Sequence, residues 1–182
     1  MMFTDGGSRF IIDEVTGDVP EGFEGKHIRD VYVYLGENGG EGHLAWLSVV
    51  APTVTKIGPW DPAAASMPGP SDLQPEAPPF DIRAELEKRE IPVREWGQID
   101  VDGATAPLVT VEGFLDLCGT PASCRYNTAG RRFYLLIPYA NGTLVVEGAV
   151  RSEAMEGEQL TPDVMDVVVQ ELQAWADSIE LP

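Results

Sequence analysis

Catalytic signatures are missing from this chain. It has no G-x-S-x-G elbow, no glycine-rich phosphate loop and no H-E-x-x-H pair, and neither His27 nor His43 has a carboxylate or nucleophile at diagnostic spacing. An enzyme is therefore not expected. One built from a close pair of carboxylates stays open as an alternative, because the acidic residues are numerous. Basic residues are scarce: twelve Lys and Arg stand against thirty Asp and Glu, a formal charge of −18. Such a surface repels phosphate backbones and anionic lipid, which excludes nucleic acid as a partner. Only three of the basic residues are lysines (Lys26, Lys56 and Lys88), a balance that fits a GC-rich genome or a salty habitat. The acidic surface is a solvated face or a dock for a basic partner.

Long apolar runs are also lacking. No stretch of about 18 apolar residues could span a bilayer, and the start, "MMFTDGGSRF", has neither the basic head nor the apolar core of a secretory signal. Two readings follow: a cytosolic protein, or the trimmed form of a chain whose signal or anchor lies elsewhere. The doubled Met1 and Met2 point to the second. Cysteine is nearly absent, and both copies, Cys118 and Cys124, fall within "CGTPASC". A redox pair is more often spaced by two residues at a helix N-terminus, and zinc needs further Cys or His partners nearby. Neither condition holds, so a structural disulfide is the favoured reading, with free thiols as the alternative. Such a bridge would contribute roughly 2 kcal/mol and would place the protein in an oxidising, extracytoplasmic compartment.

What is present is enough for one core. Hydrophobic residues make up 43% and charged residues 23% of 182 positions, ordinary globular usage. A single domain over residues 1–182 is expected, able to bury about 70% of its unfolded surface. One segment departs from this pattern: residues 58–79 hold seven prolines in 22 positions and read as an insertion loop, with Trp60 and Phe80 as candidate anchors at its ends.

Around that loop the chain alternates strand and turn chemistry. "SRFIIDEV" from Ser8 predicts a first strand, with Gly17 and Pro20 marking the turn after it. "DVYVYLG" from Asp30 and "HLAWLSVVAPTVTKI" from His43 predict two more, joined as a hairpin through "ENGGEG". "FDIRAELEKRE" from Phe80 predicts a short helix with Asp81 as cap and Ile82 and Leu86 on one face, ended by Pro92. Next comes a strand, a tight turn at Asp102-Gly103, and a strand that Pro107 and Gly113 should break. Two apolar strands follow, joined at Asn141-Gly142.

The last element is a helix. Thr161 is its N-cap, Pro162 and Asp163 fill its first turn, and it should run to about Ser178. Val164, Val168, Leu172, Trp175 and Ile179 recur at spacings of four, four, three and four, one stripe that must lie against a sheet. Asp166, Glu171 and Asp177 fall largely outside it.

Three short motifs resolve to structure. "DVDG" at Asp100–Gly103 opens like a calcium loop, but Ala104 and Val111 occupy positions five and twelve, where oxygen ligands are needed. "NGT" at Asn141–Thr143 is a formal glycosylation acceptor that coincides with a turn signal. Arg125, Arg131 and Arg132 form the one basic cluster, a candidate contact for an anion or acidic partner unless neighbouring carboxylates neutralise it. No metal site and no cofactor is expected.

The order of parts from about residue 95 to 182 resembles the PsbP-like fold family. That family includes the extrinsic photosystem II protein, a nuclear import factor that binds the small GTPase Ran, and bacterial lipoproteins. The likeness lies in the turn "VDGATA" opening a long strand, the strand "RRFYLLIPYANG", the return strand "TLVVEGAV", and a terminal helix ending in "ADSIEL". It implies an antiparallel sheet sandwiched by helices, used without catalysis for docking or assembly at membranes. No functional residue of the family carries over, and the 58–79 insertion and the cysteine pair depart from its pattern.

The combined expectation is an α+β domain, an antiparallel sheet of about six or seven strands flanked by helices, with a long C-terminal helix on one face. Its expected role is a non-enzymatic, extracytoplasmic binding or assembly domain, secreted or anchored to the envelope. A cytosolic acidic adaptor from a salt-adapted organism and a carboxylate-based hydrolase are the alternatives.

Overall fold

A computed structural model describes residues 3–4, 9–27, 32–37, 42–51, 84, 86–87, 90, 92–111, 132–151 and 160–182. Among the described residues ten strands and one long helix are formed: β1 (Phe3–Thr4), β2 (Arg9–Ile12), β3 (Val15–Asp18), β4 (Phe23–His27), β5 (Tyr32–Glu37), β6 (Leu44–Val50), β7 (Val93–Val101), β8 (Ala104–Val111), β9 (Arg132–Tyr139), β10 (Gly142–Val150) and α1 (Pro162–Ala176). The architecture is α+β. A small sheet has the order β1-β2-β3 and a large one the order β4-β5-β6-β10-β9-β8-β7, and neighbouring strands among the described residues run antiparallel.

Side chains alternate across the large sheet, as a two-residue repeat requires. Leu47, Val49, Val146, Leu135, Ile137, Leu108 and Ile99 join one core with the stripe Val164, Val168, Leu172, Trp175 and Ile179 of α1 and its following turn. Phe10, Ile12 and Val15 of the small sheet enter the same core, and the Phe10 ring lies 6.1 Å from that of Trp175. The alternate positions Val50, Val145, Tyr134 and Leu136 are buried as well. A central sheet buried on both faces explains why β9 and β10 read as continuous apolar runs without alternation.

Helix α1 starts as its sequence dictates. Thr161 is extended, its Oγ1 accepts from the Val164 N–H, and Pro162 follows, where its missing N–H costs nothing. The helix ends at Ala176, two residues short of expectation. There the Asp177, Ser178 and Ile179 amides close a tight turn onto Gln173, Trp175 and Ala176. The exit strand then bridges Thr16 through Glu180. Gln173 completes an edge of the large sheet: its side-chain amide accepts from the Asp100 N–H and donates to the Asp100 carbonyl, both at 3.0 Å. An exposed ladder position on β7 is thereby closed by the helix.

Four local expectations are corrected. "SRFIIDEV" is no single strand but a hairpin, β2 and β3, turning at Asp13 and Glu14, whose φ values are +47° and +67°. A left-handed turn without glycine is held here by tertiary bonds: the Asp13 carboxylate accepts from the Tyr139 hydroxyl and from the Asn141 amide. Pro107 does not break β8. It pairs with Gln98 one position beyond the Ile99–Ala106 pairing, while the β9 ladder begins at Leu108, so its missing N–H removes no ladder bond. The β9–β10 turn is centred on Ala140 and Asn141, one residue early, and Gly142 opens β10 at φ +125°. Strand β4, "FEGKH", was not anticipated, because glycine and charge interrupt it.

The turn at Asp102-Gly103 stands as expected, with φ values of +49° and +79°. Of the helix expected over 80–90, Ala84, Leu86 and Glu87 are described and helical, and Leu86 is buried; Asp81 and Ile82 lie outside the described residues. So do residues 58–79.

Candidate binding cleft

Five segments converge on one concavity of about 560 Å³. The end of β3 and the turn after it contribute Asp18, Val19, Pro20 and Glu21, and β4 contributes Phe23. Gly42 precedes β6 and Leu44 opens it, Arg151 follows β10, the last turns of α1 contribute Glu171, Ala174 and Trp175, and Ser178 lies in the turn after the helix. The walls are mainly apolar and the rim is acidic.

The polar groups in the wall hold backbone. Glu171 projects from α1 and accepts from the His43 N–H at 2.8 Å and the Leu44 N–H at 3.2 Å, with the His43 ring Nδ1 at 3.3 Å. One helix carboxylate thus satisfies the opening amides of a strand. Glycine at position 42 makes this approach feasible, since a Cβ there would stand only 3.1 Å from a Glu171 carboxylate oxygen.

Trp175 donates its indole N–H to the Asp18 carbonyl at 2.8 Å, and Ser178 Oγ donates to the Trp175 carbonyl while accepting from the Asp18 N–H. Arg151 donates its backbone N–H to the His43 carbonyl and its Nε to the Leu44 carbonyl. Asp18 is paired through its carboxylate with Arg9 at 3.1 Å. Ser178, the one hydroxyl side chain among the described residues that line the cleft, is therefore tied at both its donor and acceptor functions, its proton directed at a carbonyl instead of a base.

A second polar cluster lies at the other end of β9. Burial, then the hydrogen bond and the negative charge of Asp13, push the Tyr139 phenol far above its ordinary value, so it stays a protonated donor to that carboxylate. Its role is to lock the β2–β3 turn.

Among the residues singled out from the sequence, Cys118, Cys124, Arg125, Arg131, Trp60 and Phe80 lie outside the described residues. Arg132 is described, and it faces inward. Its guanidinium meets Glu147 at 2.6 Å, with side-chain exposures of 9% and 2%, and lies 5.5 Å from the ring of Trp46. The partner of this arginine is an internal carboxylate. Sequence reasoning missed Asp18, Arg151, Glu171 and Trp175. One signal was available for two of them: Glu171 and Trp175 are four residues apart, so an acid and an aromatic share one flank of α1.

Among the described residues no group of three or more His, Cys, Asp or Glu side chains is arranged to hold a metal ion. No helix among them is long and apolar enough to cross a membrane. Comparison of the chain with protein-family models, with curated proteins and with solved structures found no match.

Proposed function

We propose that this chain is a non-enzymatic binding or assembly domain that works outside the cytoplasm, built as a PsbP-like sandwich and secreted or anchored in its full-length form. The observation that carries the binding role is the cleft between α1 and the β3–β4 turn. It is large enough for a ligand side chain or small molecule, apolar in its walls, and its polar groups are spent on holding backbone instead of being poised for chemistry. The sandwich is supported by a central antiparallel sheet buried on both faces with a terminal helix on one of them. The compartment is supported by the proposed bridge between Cys118 and Cys124.

Fractionation of the native host tests all of this at once. The protein is expected in the envelope or secreted fraction, and to run in gel filtration well above its 19.7 kDa monomer mass. Ala174→Trp, which fills the cleft from an exposed helix position, is expected to return it to monomer mass in the same fraction. A cytosolic location would overturn the compartment, and an assembly unchanged by Ala174→Trp would overturn the cleft as its seat.

A further inference from the structure

We propose that Asn141 is a modification site: spontaneous deamidation at Asn141-Gly142 converts a donor that holds the β2–β3 turn into a second carboxylate that opposes it. Asn141 is exposed in the β9–β10 turn, and Gly142 follows at φ +125°. The reaction begins when the backbone nitrogen of residue 142 attacks the side-chain carbonyl carbon of residue 141, and glycine crowds that approach least. The new C–N bond closes a succinimide, the old one breaks, and the side-chain nitrogen leaves as ammonia. Water then opens either imide carbonyl, giving aspartate or isoaspartate, with no change of oxidation state.

The consequence is particular to this fold. Asp13 and Glu14 turn the hairpin with left-handed backbone, at φ +47° and +67°, a conformation whose cost the surroundings must offset. Asp13 Oδ2 accepts from two donors, the Tyr139 hydroxyl and Asn141 Nδ2, the second at 3.3 Å. A carboxylate at position 141 donates nothing and stands as a like charge beside Asp13. The Tyr139 hydroxyl has one proton, already directed at Asp13, so it cannot serve both carboxylates. The hairpin carries Phe10, Ile12 and Val15 into the core and ends at Asp18 in the cleft wall. Loosening its turn therefore reaches the small sheet and the cleft together.

The test begins with incubation of the full chain, folded or in guanidinium chloride, at about 37 °C and about pH 8 for two weeks, conditions under which labile asparagines are lost. Tryptic mapping then locates the change. Peptide 133–151 holds Asn141 as its one amide side chain, and Asn38-Gly39, which lies outside the described residues, falls in a different peptide. Peptide 133–151 is expected to gain one mass unit in both samples, the folded rate within about tenfold of the unfolded one, because an exposed turn opens at little cost. A folded rate lower than that, or no gain in either sample, would overturn the site.

The unlocking has its own readout. Asn141→Asp, the aspartate product made directly, is expected to lower the urea midpoint by at least about 0.3 M. In an Asp13→Asn background, which keeps a residue tolerant of the left-handed turn and removes the facing charge, the same substitution is expected to shift the midpoint less than half as far. An unchanged midpoint, or an equal loss in both backgrounds, would overturn the link between the modification and the β2–β3 turn.

Discussion

Arg132→Met is expected to lose about 3–5 kcal/mol of stability, a large share of the 5–15 kcal/mol typical of a domain. An exposed ion pair would be worth at most about 1 kcal/mol, and the burial decides between the two regimes: Arg132 and Glu147 side chains are 9% and 2% exposed at 2.6 Å. Removing the cation takes the guanidinium away from a carboxylate in the interior of the sheet, between Ser48 of β6 and Tyr134 of β9.

The cost lies in keeping that charge buried without its guanidinium more than in losing the attraction. Arg132→Met combined with Glu147→Leu is accordingly expected to recover most of the stability, because an apolar pair of similar volume has no desolvation penalty. Urea unfolding separates these outcomes, with a midpoint shift of at least about 1 M for the single variant. A single-variant loss below about 1 kcal/mol would contradict the buried-charge account.

Gly148→Ala is the second large effect, expected at about 1–3 kcal/mol or slightly above. Gly148 lies in the helix-facing row of β10, paired with Phe133 on one side and Leu47 on the other. A Cβ at this position would stand 2.6 Å from Phe133 Cε2 and 2.9 Å from Leu47 Cδ2, distances that carbon atoms do not share. Both neighbours are fully buried, so neither ring nor methyl has free space to enter.

Phe133→Leu is itself a destabilising change, yet it removes the ring that the new methyl strikes. The double variant is therefore expected to be more stable than the sum of the two single effects allows, by at least about 0.5 kcal/mol in the same unfolding experiment. Strict additivity would show that the glycine is needed for its backbone and not for the ring above it.

The residues differ in how openly they announce these features. The N-cap, the proline at the first helical position and the buried stripe of α1 are local signals, and they place the helix to within two residues. Asp102-Gly103 is equally local. The Asp13–Glu14 turn is not: its left-handed backbone is held by Tyr139 and Asn141, some 126 and 128 residues away in sequence. Pro107 reads as a strand breaker until the ladder shows which side its nitrogen faces.

The same distinction governs the site. Glu171 looks like a solvated helix acid, because the strand amides it accepts belong to residues 43 and 44. Arg132 looks like a surface cation, because its partner is reached diagonally across the β9–β10 register, with Tyr134 directly opposite Glu147. In both cases the charge pattern is visible in the sequence and its meaning depends on a register that periodicity alone does not supply.

The cleft as a partner-binding site is the central claim, and site-specific photo-cross-linking in the native host tests it most directly. A benzophenone amino acid in place of Glu21, on the exposed rim of the cleft, is compared with one in place of Asp163, exposed at the far end of α1. The account predicts a discrete protein adduct from position 21, none from position 163, and loss of the adduct when Ala174→Trp is added. No adduct from position 21, or the same adducts from both positions, would contradict it.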